Sequence, residues 1–264
     1  MDELRTRALS VLCIADPDAR CAAVAGLAGF DGPVDTEAVL LEPPGGPGRP
    51  ERPVLVAPGS LASRAVGSPD GRAALLHALA HIEFNAIGLA LDHIWRFAGL
   101  PAAYYLDWAG VAVEEARHFS LLRARLSEAG FDYGDFPAHD GLWEMARRTS
   151  DDVLARMAMI PRTLEARGLD ASPAVRAKFV AIGDLESAQV IDVILDDEIG
   201  HVSIGNRWFH FLCARQGLEP RAAHRRVAGR CDAPRHRGAL NVAARLRAGF
   251  SPNELEDLLD TSRE

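Results

Sequence analysis

Cysteine is scarce and scattered. Cys13, Cys21, Cys213 and Cys231 form no C-x-x-C pair, which excludes a zinc knuckle, a rubredoxin-type site and a disulfide scaffold and leaves reduced, mostly buried thiols as the expectation. Long apolar runs are missing too. No stretch reaches the roughly 18 uninterrupted apolar residues of a membrane span, and the N-terminus, MDELRTR, is acidic and carries no apolar run. A cytoplasmic protein with no membrane partner is expected. G-x-G-x-x-G, Walker A, G-x-S-x-G and H-E-x-x-H are all absent, removing the usual dinucleotide, phosphate-loop, serine-hydrolase and zincin readings. Positive charge is in deficit overall: the net charge of −8 disfavours indiscriminate nucleic-acid binding, although such an average can conceal a local basic face.

What is present is helical pattern in a chain of 264 residues, enough for one domain or two small ones. Residues 2 to 29 read as a helical arm, interrupted near Asp16-Pro17. From Gly32 to about Arg72 the chain is rich in Pro and Gly, with EPPGGPGRPERP at 42 to 53, and cannot sustain a helix. An extended segment draped over a core is expected there. Four long helices follow at roughly 71–98, 101–129, 142–168 and 184–216. Gly99-Leu-Pro101 separates the first two, Gly130 to Gly141 is an irregular crossover, and Gly168 to Pro173 breaks the third. A tail of short helices ends with one opening at Ser251-Pro252, where Glu254 completes a capping box. The expected organisation is therefore an arm over 1–70, a helical bundle over 71–216 and a tail over 217–264. No useful strand alternation occurs in the bundle, so the fold class is all-α.

Two acids lie where a helix-bundle core should be. On the second helix Trp108, Val111, Ala112, Glu115, His118, Phe119 and Leu122 share one face; on the fourth, Ile191, Ile194, Glu198, His201, Gly205 and Trp208 do. A buried ionised carboxylate costs several kcal/mol unless a partner compensates it. At i, i+3 a carboxylate oxygen and an imidazole nitrogen can reach one ion. Glu83 adds an acid to an almost wholly apolar first helix. On the third helix Glu165 is favoured over Glu144, because it precedes Glu198 by 33 residues as Glu83 precedes Glu115 by 32. Glu186 belongs to the fourth helix, about 18 Å along the axis from Glu198, and is too distant. Glu83 is as far before its turn as Glu115 is after it, so antiparallel neighbours would be level. Four carboxylates neutralise two divalent ions, and oxygen ligands mixed with two histidines suit iron or manganese better than calcium, magnesium or structural zinc. One Glu from each of two helices with Glu-x-x-His from each of the other two is the pattern of ferritin-like dinuclear carboxylate bundles.

The fragments EEARH at 114–118 and DEIGH at 197–201 resemble the repeats of the di-iron oxygenase and ribonucleotide reductase group. That resemblance implies that the acid before each ligand, Glu114 or Asp197, orients a histidine. LLHALAHIEFNAIGLALDH, PRTLEARGLDASP and DDEIGHVSIGNRWF resemble, over most of the chain, a bacterial ferritin-like family known only as a domain of unknown function. That family is in turn distantly similar to the tRNA hydroxylase branch. The resemblance implies a ferritin-like four-helix bundle with metal at Glu83, Glu115, His118, Glu165, Glu198 and His201.

Other polar groups have plainer explanations. His77 and His81 lie about 160 to 200° around the first helix from Glu83 and are expected to be structural or to back the ligands. Asp92 and His93 are expected to form a cap or a surface pair. The tail arginines Arg221, Arg225, Arg226, Arg230, Arg235, Arg237, Arg245 and Arg247 read as a solvated face or as partners of acids, with an anionic ligand left open. The functional expectation is an oxidoreductase using two iron ions, dioxygen, an unidentified small-molecule substrate and an unidentified electron donor. Its alternatives are ferritin-like iron oxidation or binding, and a dimanganese peroxide scavenger. The break after Glu165 is the expected substrate entrance, with Pro173 to Ile182 as a displaced helical segment.

Overall fold

The computed structural model describes residues 3–62, 64–236 and 238–260. Among them the architecture is all-helical, with no strand and one isolated parallel bridge between Leu55 and Ala138. The chain forms two compact units, dividing between Trp143 and Glu144.

In the first unit α1 (Leu4–Leu12) and α2 (Pro17–Ala25) pack on the hairpin of α3 (Pro69–Arg96) and α4 (Ala102–Glu128). The interruption at Asp16-Pro17 is a helix start: Asp16 accepts from Ala19 N, and Pro17 takes the first helical position, where its missing N–H costs nothing. Ser68 and Pro69 repeat the device for α3. Gly99, at φ +74, supplies the left-handed residue of the α3–α4 turn. By length and composition α3 could cross a bilayer, yet 72% of its most apolar window is buried inside the protein.

The described residues between 26 and 68 contain no α-helix, and two arginines fasten this stretch. Arg5 is fully buried. It donates to the carbonyls of Ile94 (3.0 Å) and Trp95 (2.8 Å), in the last turn of α3, and to those of Asp35 (2.9 Å) and Ala38 (2.6 Å). It thus satisfies helix-end acceptors that lack intrahelical donors while holding the arm. Arg20 donates to Ile14 O (2.9 Å) and to Gly48 O, and its guanidinium lies 4.7 Å from the Phe84 ring centre. Burial lowers its pKa to about 10, so it stays charged at neutral pH.

The expected third helix over 142–168, which crosses from the first unit into the second, is divided differently. α5 (Gly141–Arg148) ends at Thr149, whose hydroxyl donates to Met145 O, and α6 (Val153–Met159) starts afresh with Asp152 as its cap. A π-helical turn, Ile160–Glu165, then leads into α7 (Ala166–Ala181). In a straight α-helix the Pro161 ring would strike the Met157 carbonyl, and the wider turn avoids this. The expected break at Gly168 to Pro173 is overturned: α7 runs through it. Pro173 has no N–H for the Leu169 carbonyl four residues back, but Asn241 Nδ2 donates to that oxygen at 3.1 Å. The helix break expected to form an entrance is therefore not there, and Pro173 to Ile182 continues α7 rather than being displaced from it.

α7 returns through a short turn into α8 (Leu185–Arg215), and α9 (Pro220–Arg230), α10 (Val242–Arg247) and α11 (Pro252–Asp260) follow. Ala244, Ala248, Phe250 and Leu255 from the tail pack with Ala166, Leu169, Ile199 and Val202. Glu254 accepts from Ser251 N at 2.8 Å and Ser251 Oγ at 2.9 Å, closing the capping box of α11. Tail arginines pair with acids: Arg221 with Asp257, Arg230 with Asp152, Arg245 with Asp170 and Arg247 with Asp196. Arg237 lies outside the described residues. The cysteines are free thiols, but only Cys213 and Cys231 are buried; Cys21 is half-buried and Cys13 exposed.

Candidate metal centre

In the first unit, α3 and α4 bring Glu83 level with Glu115 and His118. Glu83 is 5% exposed, the other two fully buried. His118 Nδ1 lies 3.3 Å from Glu83 Oε2 and 3.3 Å from Glu115 Oε2. The ligand atoms of the three residues lie within 4.8 Å of one another, so this buried cluster could hold a metal ion. Burial disfavours a charged imidazole, but hydrogen bonds to Glu115 and Glu83 outweigh it and lift the His118 pKa to about 11. The proton on His118 offsets one of the two buried carboxylate charges, whereas a divalent metal ion would offset both.

The second unit repeats the motif. Glu198 and His201 are buried on the inward stripe of α8, with His201 Nδ1 3.9 Å from Glu198 Oε1. Glu165 is half-buried and closes the π turn, which packs against α8. Of the rejected acids, Glu144 and Glu186 are exposed. The two acids expected to orient histidines differ: Glu114 is exposed and Asp197 half-buried.

Asp92 and His93 are not at the surface. Both are fully buried; Asp92 pairs with Arg96 at 2.9 Å, and His93 stacks on Trp108 with ring centres 4.1 Å apart. The helix-end position suggested exposure, but α4 and its aromatic residues cover this end of α3.

Sequence reasoning also missed Tyr133, which the irregular crossover carries onto Phe84 (5.4 Å between ring centres) and Phe119 (5.1 Å), the chain neighbours of Glu83 and His118. No periodicity could have flagged a loop residue. His81 Nδ1 bonds Tyr133 Oη at 2.8 Å, and His77 Nε2 accepts from Gly134 N at 2.9 Å. Both histidines therefore fasten the crossover to α3.

His77 has a pH signature. Burial, reinforced by neighbouring His81, lowers its pKa to about 4 against an ordinary 6.5, with Asp135 opposing. Between these values the unfolded chain binds the extra proton. The stability from neutral His77 is thus complete above about pH 6.5, falls as pH drops, and is lost below about 4. Urea midpoints measured from pH 7 to 4 should fall less in His77→Gln than in the native protein; parallel curves would refute this.

A family described as "Protein of unknown function (DUF455)" matches residues 15–256. An uncharacterized protein of Haemophilus influenzae is 46% identical over 214 residues, spanning 78% of this chain and 74% of its own length. No solved structure matches.

Proposed function

The chain belongs to the DUF455 family, and we propose that it is a ferritin-like non-heme di-iron oxidoreductase that uses dioxygen to oxidise or hydroxylate a small organic substrate. The observation that carries this reading is the pair of buried Glu-x-x-His motifs, Glu115/His118 and Glu198/His201, one on a long helix of each unit. Each has a further carboxylate, Glu83 or Glu165, on the helix packed beside it. The reading takes the two helical hairpins as halves of a four-helix bundle.

The donor set fits the metal. Glu83, Glu115, His118, Glu165, Glu198 and His201 offer carboxylate oxygens and imidazole nitrogens without thiolate, a set suited to iron, with manganese as the runner-up. Two bound ferrous ions would supply the electrons for dioxygen reduction. The chain's own residues do the rest. His118 would hold the ion as neutral imidazole, its proton being released to solvent on binding. Asp197, next to Glu198, would orient a ligand histidine. Phe84, Phe119 and Tyr133 form an apolar wall that keeps water from the Glu83 and His118 side. The free thiols fit a reducing cytoplasm.

The test is an anaerobic ferrous titration followed by oxygen exposure. About two irons per chain with rapid oxygen consumption is the expected result. Accumulation of many irons per chain would instead indicate storage, activity restored only by manganese would indicate peroxide scavenging, and no saturable binding would end the metal reading.

A further inference from the structure

Arg162 carries a buried charge, a guanidinium 3% exposed, in the middle of the π turn and three residues before Glu165. Two rings and both terminal nitrogens hold it, while Nε has no hydrogen-bond partner. Phe209 of α8 and Phe250 of the tail lie on it, each ring centre 4.8 Å from Cζ. Nη1 donates to Asn206 Oδ1 at 2.6 Å, and Nη2 pairs with Glu254 at the start of α11. Asn206 Nδ2 in turn donates to Ala248 O at 2.7 Å, so the tail closes the ring of contacts.

The neighbours of Arg162 are fixed just as closely. Pro161 sits against Gly205, where a Cβ would collide with its ring. Thr163 Oγ1 donates to Ala158 O at 2.7 Å, taking an acceptor from the widened ladder, and lies 3.1 Å from His224 Nε2 on α9. Three consecutive residues of one π turn thus have specific partners on α8, α9 and α11. A π turn contains one residue more than an α turn; Pro161 disfavours the α alternative locally, and the partners of residues 161 to 163 on α8, α9 and α11 hold the extra residue where it is. If it rewound to α, the phase between α6 and α7 would slip by one residue, about 100° around the axis. Glu165, at the end of the turn, would swing off its face.

We infer that Arg162 and Glu254 are positioning residues for Glu165: the C-terminal tail keeps the π turn wound and thereby aims the carboxylate at its end. This rests on Glu165 being a metal ligand, as proposed above. A buried Arg–Glu pair is otherwise a poor way to stabilise a core, since apolar residues of similar volume commonly do as well or better. Its use here is directional. The guanidinium fork fixes one geometry between a turn and a tail that are 92 residues apart in sequence.

The test uses the full-length protein and cobalt(II) as the probe, titrated anaerobically in the cold, well below unfolding, with the visible spectrum recorded. The native chain should bind two ions, and Glu165→Gln should bind one of them at least tenfold more weakly. Glu254→Gln should weaken the same ion at least tenfold and alter its spectrum while helix content is unchanged. Thr163→Val, which leaves the ion pair intact, should weaken it in the same direction by a smaller factor. Asp170→Asn is the control, because it breaks a different buried pairing of the tail, with Arg245 and His236, and should titrate like the native chain whatever its loss of melting temperature. Native titration by both Glu254→Gln and Thr163→Val, with Glu165→Gln impaired, overturns the positioning role alone. Equal weakening by Asp170→Asn also overturns it, as general destabilisation. Two native-affinity ions in Glu165→Gln, or none in the native chain, removes the ligand reading and the positioning role with it.

Discussion

Glu115→Ala and Glu198→Ala are each expected to bind ferrous ion at least about a hundredfold more weakly than the native chain. Loss of a group that merely supports a metal ligand costs about 10–100-fold, and here a ligand itself is deleted. The effect separates from folding. In the metal-free protein, Glu115 and Glu83 both face His118, so removing Glu115 leaves His118 its pairing with Glu83. Glu115→Ala should accordingly fold, and what it should lose is stabilisation by metal. At a free ion concentration of about 100 Kd the native chain gains about 2.7 kcal/mol; the variant should gain almost none. Anaerobic titration and thermal unfolding with and without ferrous ion give both quantities. Retention of two ions by both variants would sink the metal site.

Arg5→Met should cost about 3–5 kcal/mol of the first unit's stability, the largest effect expected from a residue outside the candidate site. Four carbonyls accept from this one buried guanidinium: Ile94 and Trp95 at the end of α3, and Asp35 and Ala38 in the arm. Hydrogen bonds to a charged group contribute about 1.5–3 kcal/mol each, and a buried acceptor left without a donor costs about 1–3 kcal/mol. Water entering the loosened arm recovers part of this, so the sum is an upper bound. The arm should come away first. Limited proteolysis ought therefore to cut between 26 and 60 in Arg5→Met under conditions that spare the native chain, and urea unfolding should show the lower midpoint. An intact arm and an unchanged midpoint would mean that α1 is held by its apolar face alone.

The pattern of the sequence carried much of this protein by itself. Helical periodicity and the Pro and Gly punctuation place α3, α4 and α8 to within about two residues of their expected ends, because a long amphipathic stripe and a capping residue are local properties. The same periodicity puts Glu115 and His118, and Glu198 and His201, on buried stripes, and the equal distances of Glu83 and Glu115 from the Gly99 turn put them level. Tertiary structure decided what depends on partners remote in the chain. Pro173 reads as a helix breaker, and it is one only when the carbonyl it leaves bare has no other donor; Asn241, 72 residues from Leu169, is that donor. Asp92 and His93 look like a surface helix end until α4 lies over them. The π turn has Pro161 as its local cause, but the Arg162–Glu254 pair and the glycine at 205 that accommodates it come from α8 and the tail. Local sequence fixes which backbone hydrogen bonds a segment can make alone, whereas the fate of the groups it cannot satisfy is settled by whichever distant side chain the fold delivers to them.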